Sequence, residues 1–329
     1  MPRSTQHGWD VEQVVMKTEL AVACLLGIGL VHGCGSIVYV HRPTPSDQVS
    51  QWGYAQIYHM NMDGSNKENL SNRNRHEYQP DVRHDGGKIV FLAEANQIYV
   101  MDTDGANVSP VPNAPNDAGT PRWSRGQGGG WFILFSHPAS YAGTAIYRIN
   151  PDGTGLTKIT SPGPNQRDGA ADSIDDKHIV FSRYDQANND DRDLYVKYLW
   201  DHSPEVRLTN TPNQSETLPV VSHNGKMLAY RVFRSGHDDQ IHVAQFVTET
   251  SITVMHVIDL ALPAETNISG IDFSPQDNEL LVSVQVTIAD VPTNAIQRRQ
   301  EIFRVRRDGS EQYRLTTNAD EDVYPSALP

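Results

Sequence analysis

The chain has 329 residues, with 40 acidic and 27 basic side chains, a formal net charge of −13, 24 glycines, 20 prolines and two cysteines. That balance excludes a nucleic-acid backbone as partner, because displacing counterions from phosphates needs a Lys/Arg footprint; basic peptides, cations or neutral ligands suit this surface better. The glycine and proline content fits many short strands joined by tight turns, and all-β domains commonly reach this length undivided.

From Leu20 to Val31 the chain is almost wholly apolar or small. The run falls short of the about 20 residues that span a bilayer and matches the apolar region of an export signal. Met16-Lys17 offers a start just ahead of it, and residues 1–33 are read as a signal peptide. Val31-His32-Gly33-Cys34 resembles the bacterial lipoprotein box, which implies that Cys34 carries a lipid; plain secretion is the alternative. Either way residues 34–329 belong on the periplasmic side of the bacterial envelope, with a lipid anchor favouring the outer membrane over the inner. The other cysteine, Cys24, falls inside the signal, so no intramolecular disulfide is expected.

The first apolar strand beyond the signal is Ser36-Ile37-Val38-Tyr39-Val40. Next, Gln56 to Met60 alternates apolar and polar residues, Asp63-Gly64 supplies a hairpin turn that needs positive φ, and Leu70-Ser71 ends the following strand. Pro80 to Arg83 makes a short strand, Asp85-Gly86 a second turn, and Lys88 to Leu92 an apolar return. The cycle then restarts. Ile57-Tyr58 with Asp63-Gly64 recurs as Ile98-Tyr99 with Asp104-Gly105 and as Ile146-Tyr147 with Asp152-Gly153. Weaker copies stand at Leu194-Tyr195, Ile241-His242 and Ile302-Phe303. A period of roughly 40 to 60 residues is the mark of propellers and solenoids.

The sixth copy stops after Tyr324-Pro325-Ser326, one strand short, and Ser36 to Val40 is available to complete it. The expected fold is therefore all-β: a six-bladed β-propeller of four-stranded antiparallel blades, closed by an N-terminal strand that joins the last blade and leaves no free edge.

The pattern I-Y-x-M-x-x-D-G, then L-T or L-S, then P-x-x-S-x-D-G-x-x-I-x-F resembles the TolB-type propeller repeat, best at Ile57 to Phe91, Ile146 to Phe181 and Leu194 to Tyr230. TolB proteins carry an α/β domain ahead of the propeller, whereas few residues separate Cys34 from the first strand here. The resemblance thus implies a TolB-like propeller alone. Peptidases with similar repeats attach a separate hydrolase domain, and the lyases with such repeats work with His, Arg and a metal inside the propeller.

One acid or amide precedes each inner strand: Glu77, Asp117, Asp168, Glu216, Asn267 and Asp322. In a propeller this segment enters the innermost strand at one mouth of the channel, so these side chains are expected to ring the axis. Like charges about 8 Å apart repel by about 2 kcal/mol at an effective dielectric near 20, so such a ring needs solvent, a cation or a basic ligand. Ca²⁺ could be held by two or three of them with water. A weaker oxygen-rich candidate is Asp185, Asn188, Asp190 and Asp191. Asp102-x-Asp104-Gly105 lacks the outer carboxylates of a calcium loop, and His76-Glu77 cannot begin a zincin helix because Pro80 follows.

No nucleophile elbow, phosphate loop or Cys/His metal spacing is present, so catalytic residues are expected to be none. The expected function is a monomeric, non-catalytic binding or scaffolding propeller, tethered to the membrane through lipid alone, that recognises a protein, a peptide or a small ligand at the channel mouth and inter-blade loops. An envelope protein or basic peptide is the expected partner. The alternative is a metal-dependent, lyase-like enzyme acting on saccharide in the channel, with His76 and Arg167 as first suspects.

Overall fold

A computed structural model describes residues 35–43, 53–126, 130–139, 143–186, 191–201, 203–261, 266–290, 295–318 and 320–329, with backbone alone at 288–290 and 295–297. The signal segment and Cys34, as well as Asn188 and Asp190, lie outside the described residues.

Strands β1 (Ser36–Arg42), β2 (Gln56–Asn61) and β3 (Glu68–Asn69) come first. Blade 1 is β4 (Glu77–Val82), β5 (Lys88–Ala93), β6 (Gln97–Asp102) and β7 (Ser109–Pro110); blade 2 is β8 (Gly119–Trp123), β9 (Ile133–His137), β10 (Ala145–Ile149) and β11 (Thr157–Lys158). Blade 3 is β12 (Gln166–Ser173), β13 (His178–Asp185), β14 (Arg192–Tyr198) and β15 (Val206–Arg207). Blade 4 is β16 (Ser215–Val221), β17 (Met227–Phe233), β18 (Gln240–Thr248) and β19 (Ser251–Asp259). Blade 5 is β20 (Ile268–Phe273), β21 (Glu279–Asp290), β22 (Ala295–Arg306) and β23 (Gln312–Arg314). Blade 6 runs in the order β24 (Glu321–Leu328), β1, β2, β3.

The described residues are thus all-β, six antiparallel sheets of four strands, and the expected closure is present: β24 pairs with β1 from Ser36↔Leu328 to Arg42↔Glu321. The inner strands contact one another in a closed circuit from β4 through β24 and back. Each sequence repeat supplies the outer half of one blade and the inner half of the next, so each repeat spans a blade boundary.

The core is divided among the seams. An apolar cluster fills each of the six interfaces, for example Val90, Ile98, Trp123 and Phe135 between blades 1 and 2. Within blades, the I-Y tyrosine pairs with the I-x-F phenylalanine of the neighbouring strand: Tyr99 with Phe91, Tyr147 with Phe135 and Tyr195 with Phe181, with centroids 5.8 to 5.9 Å apart. Cross-strand aromatic pairs of this kind are what pins register on a pleated surface.

The hairpin glycines serve the seams as well as the turns. Gly64, Gly105 and Gly153 sit at φ near +84°, and a Cβ there would lie 2.7, 2.2 and 2.3 Å from the carbonyl oxygens of Leu315, Leu70 and Pro112 on the preceding blade. The outermost strands are two or three residues long except β19, which has nine and presents Val254, Met255 and Val257 to solvent.

Candidate functional site

Glu77, Asp168, Glu216 and Asp322 fall within the first residues of β4, β12, β16 and β24, Asp117 and Asn267 just ahead of β8 and β20, and the buried ones are held by local partners. Glu77 and Asp322 are fully buried; Arg75 pairs with Glu77 at 3.1 Å, and Asp322 binds His41 at 2.8 Å and Asn318 at 2.8 Å. Asp168 takes a two-pronged bond from Arg183 at 2.6 and 2.8 Å. Glu216 accepts from the Thr209 hydroxyl at 3.4 Å. Asp117 is half-buried at φ +61°, with its backbone carbonyl accepting from the Ala139 amide, and Asn267 is exposed.

The hydroxyl of the L-T or L-S step explains the placement. Ser71, Thr160, Thr209 and Thr316 each accept the amide hydrogen of the I-Y step at 2.9 to 3.1 Å, and Thr160 and Thr209 also reach the acid that opens the next blade. Arg75 and Arg183, which hold two of these acids, lie on the rings of Tyr99 and Tyr195 at 4.3 and 4.9 Å. At Asp168 the hydroxyl, acid, arginine and tyrosine together form a clasp across the seam, and the other buried acids keep part of it, because a buried carboxylate is tolerated only when paired and hydrogen-bonded.

Burial still pushes the Asp168 carboxyl up against the pull of Arg183. Burial, then the nearby Asp193, carry Glu216 to about 7. Of the second oxygen-rich candidate, Asp185 accepts from Gln166 at 2.7 Å and Asp191 from the Asn213 amide at 3.0 Å. Among the described residues no three His, Cys, Asp or Glu side chains form a group that could hold a metal ion.

The axis itself is built from a position that the sequence reading passed over, the residue following the inner-strand proline or alanine, or Ile271 in blade 5. Asp81, Arg122, Asp172, Val220, Asp272 and Ser326 stand there, placed by equivalent pairings of the six inner strands. The three aspartates fall on alternate blades, and each accepts the amide of the next blade's inner strand: Trp123 to Asp81 at 2.7 Å, Val221 to Asp172 at 2.8 Å, Ala327 to Asp272 at 2.9 Å. Arg122 reaches from blade 2 to blade 5, donating to Asp81 at 3.0 Å and lying 3.8 Å from Asp272. Burial raises the Asp81 carboxyl to about 7, Arg122 opposes the rise and Asp272 adds to it.

Towards the far end, His84 and His223 meet across the axis with ring centroids 5.0 Å apart. Arg125 donates to the carbonyls of Ser173, His223 and Val221 at 2.7 to 2.9 Å. Burial, Arg125 and His223 hold His84 down to about 3, so it is neutral. An open groove of about 550 Å³ adjoins this end, lined by Arg125, His223, Lys226, Phe246 and Val247 among others.

At the mouth where the inner strands begin, all six blades line a cavity of about 70 Å³ through Gln79, Thr120, Ala170, Leu218, Ser269 and Tyr324. Five of these residues have φ between +45° and +53°, at a bulge in the inner strand. Non-glycine residues in this region cost of order 1–3 kcal/mol each and tend to accumulate at functional surfaces.

Neither of the two suspects for catalysis lines the mouth cavity. His76 accepts the Ala55 amide through Nδ1 at 3.1 Å and stacks on Tyr78, and Arg167 lies over Tyr184 at 4.3 Å.

No family model matches the sequence, and no curated protein matches it in sequence. Solved structures are similar in fold. TolB from Acinetobacter baumannii is 18% identical with a TM-score of 0.67, over 95% of this chain and 71% of that one. A protein assigned as TolB from Agrobacterium tumefaciens is 16% identical with a TM-score of 0.59, over 89% and 91%. An oligogalacturonate lyase from Vibrio parahaemolyticus is 12% identical with a TM-score of 0.52, over 81% and 72%. At such identities the likeness is one of fold, that of the TolB-like propeller.

Proposed function

We propose that this chain is a non-catalytic binding propeller of the bacterial cell envelope, anchored through Cys34, that seats a protein or peptide partner on the channel-mouth face and inter-blade loops. The observation that carries this reading is the state of the axis. Its charged layer is consumed in holding blades together, and the mouth cavity of about 70 Å³ is well below the roughly 300 to 1,000 Å³ of small-molecule sites. A shallow, bulged mouth suits a flat macromolecular contact better than an enclosed sugar. The TolB-like likeness in fold is consistent with this and adds no partner.

A photo-reactive residue placed at Thr120 or Leu218 in the full chain tests the reading in envelope preparations. Crosslinks to one protein from these mouth positions, and none from Val206 on the outer edge, are the expected result. Turnover of oligogalacturonate by the purified chain supplied with Mn²⁺ or Ca²⁺ would sink it in favour of a lyase.

A further inference from the structure

On the rim of the mouth, β12, β13 and β14 place Arg167, Tyr184 and Arg192 directly opposite one another across three strands. The guanidinium carbons lie 4.3 and 5.5 Å from the Tyr184 ring centre, one from each flanking strand. Arg75 and Arg183 lie on Tyr99 and Tyr195 in the same way, and each holds a buried carboxylate. Arg167 and Arg192 have no carboxylate partner among the described residues.

Acids close by are engaged elsewhere. Asp185 accepts from Gln166 and Asp191 from the Asn213 amide. Across the seam Arg231 adds a third cation, and its charge is met by Asp239 at 2.7 Å. The like-charge crowding has an effect: burial, then Arg167 and Arg231, lower the pKa of Arg192. Arg192 is exposed and Arg167 half-buried, so water reaches both guanidiniums and an anion arriving at the rim can replace it. Planar guanidiniums answer carboxylates best, with two parallel N–H···O bonds to each.

We propose that Arg167 and Arg192, flanking Tyr184, form a binding site for carboxylates presented by an acidic peptide segment of the partner. This rests on the binding-propeller reading and gives the partner a charge opposite to the basic one expected from the spacing of acids. A peptide is favoured over a uronic saccharide because two cations on an open rim match successive acidic side chains of an extended chain. The net charge of −13 disfavours acidic partners in general, so a local pair of unmatched cations supplies both register and selectivity.

The probe is a short fluorescent polyglutamate peptide, with polylysine and trigalacturonate as comparisons, titrated by anisotropy into the full chain in mild detergent at low salt. The site predicts binding of polyglutamate that weakens with added salt and that falls at least about tenfold in the Arg167→Gln/Arg192→Gln double variant. Tyr184→Phe keeps the ring and should keep the binding, and unchanged thermal unfolding shows that the double variant is folded. Polyglutamate that does not bind, or binds the double variant equally well, overturns the site. So does trigalacturonate binding in its place through the same arginines. A mouth crosslink to an envelope protein that persists in the double variant overturns the site and leaves the binding-propeller reading standing.

Discussion

The Asp-Gly pairs show how one residue serves two purposes. In each turn the aspartate accepts the amide two residues on, as Asp104 does from Ala106 at 2.9 Å, while the glycine takes positive φ and lets the preceding blade approach. Separating the two roles of the glycine gives a prediction. Gly105→Ala brings a Cβ to 2.2 Å from a backbone oxygen, whereas Gly236, at φ +78°, has nothing within 4 Å. Both variants carry the left-handed cost of about 1–2 kcal/mol, and only the first adds a clash, so denaturant midpoints should fall clearly further for Gly105→Ala. Equal losses would mean that the seam yields. Glu216 carries a second prediction. Its folded carboxyl keeps a proton to about pH 7 against an ordinary glutamate value of 4.5, so the folded state binds more protons across that window. The contribution of Glu216 to stability therefore falls as pH rises from 4.5 to 7, by something on the order of 3 kcal/mol, and levels off above, with Asp81 adding a slope of the same sign. Glu216→Gln should make that part of the profile measured by chemical denaturation less steep, leaving the share of Asp81; an unchanged slope would assign all of it to other groups.

At the scale of the element, the seam clasp decides what the acids preceding each inner strand do. If they are clasps, Glu77→Ala leaves Arg75 facing no carboxylate, Asp322→Ala leaves His41 with Asp320 alone at 3.4 Å, and both lower the melting temperature without any metal present. Millimolar Ca²⁺ should then leave the wild-type melting temperature unchanged. A rise with Ca²⁺ that disappears in those two variants would restore them as a cation site. The strands and their order were legible because each repeat carries the same local chemistry: the I-Y step, the Asp-Gly turn, the Thr or Ser that caps the next strand. The clasp was half-legible. Spacing located the acids, but their arginines come from different places, Arg75 just before Glu77 and Arg183 on the neighbouring strand, so no fixed offset announces the pairing. The axis was hidden for a related reason. One position after Pro80, Pro121, Ala171 and Pro219 stand Asp81, Arg122, Asp172 and Val220, four different chemistries at one structural place, and a search for sameness overlooks a layer that works by alternation. Comparing the residues after each inner-strand proline was the signal available.

For the whole molecule, the question is what keeps a ring of six sheets from opening, since each blade touches mainly its two neighbours. The aspartates at the axis bind blade 1 to 2, 3 to 4 and 5 to 6, and Arg122 ties blade 2 to blade 5 across the centre. Blade 6 is joined to blade 1 by the Ser326 hydroxyl, which accepts the Val82 amide at 3.0 Å. The inner strand β24 is thus fixed on one side by Asp272, on the other by Val82, and along its length by β1. Removing residues 321–329 strips all three at once: it frees the inner edge of β1, whose Ile37, Val38 and Val40 are fully buried, and leaves Asp272 without the Ala327 amide. An apolar edge of this kind pairs with other chains, so the truncated chain should lose its single sharp unfolding transition and associate. A synthetic peptide of residues 321–329, added in excess, should restore both a monomeric elution and the cooperative transition, since the edge it fills is already shaped by blades 5 and 1. Retention of a sharp transition by the truncated chain alone would show that the seams suffice and that closure only protects the edge.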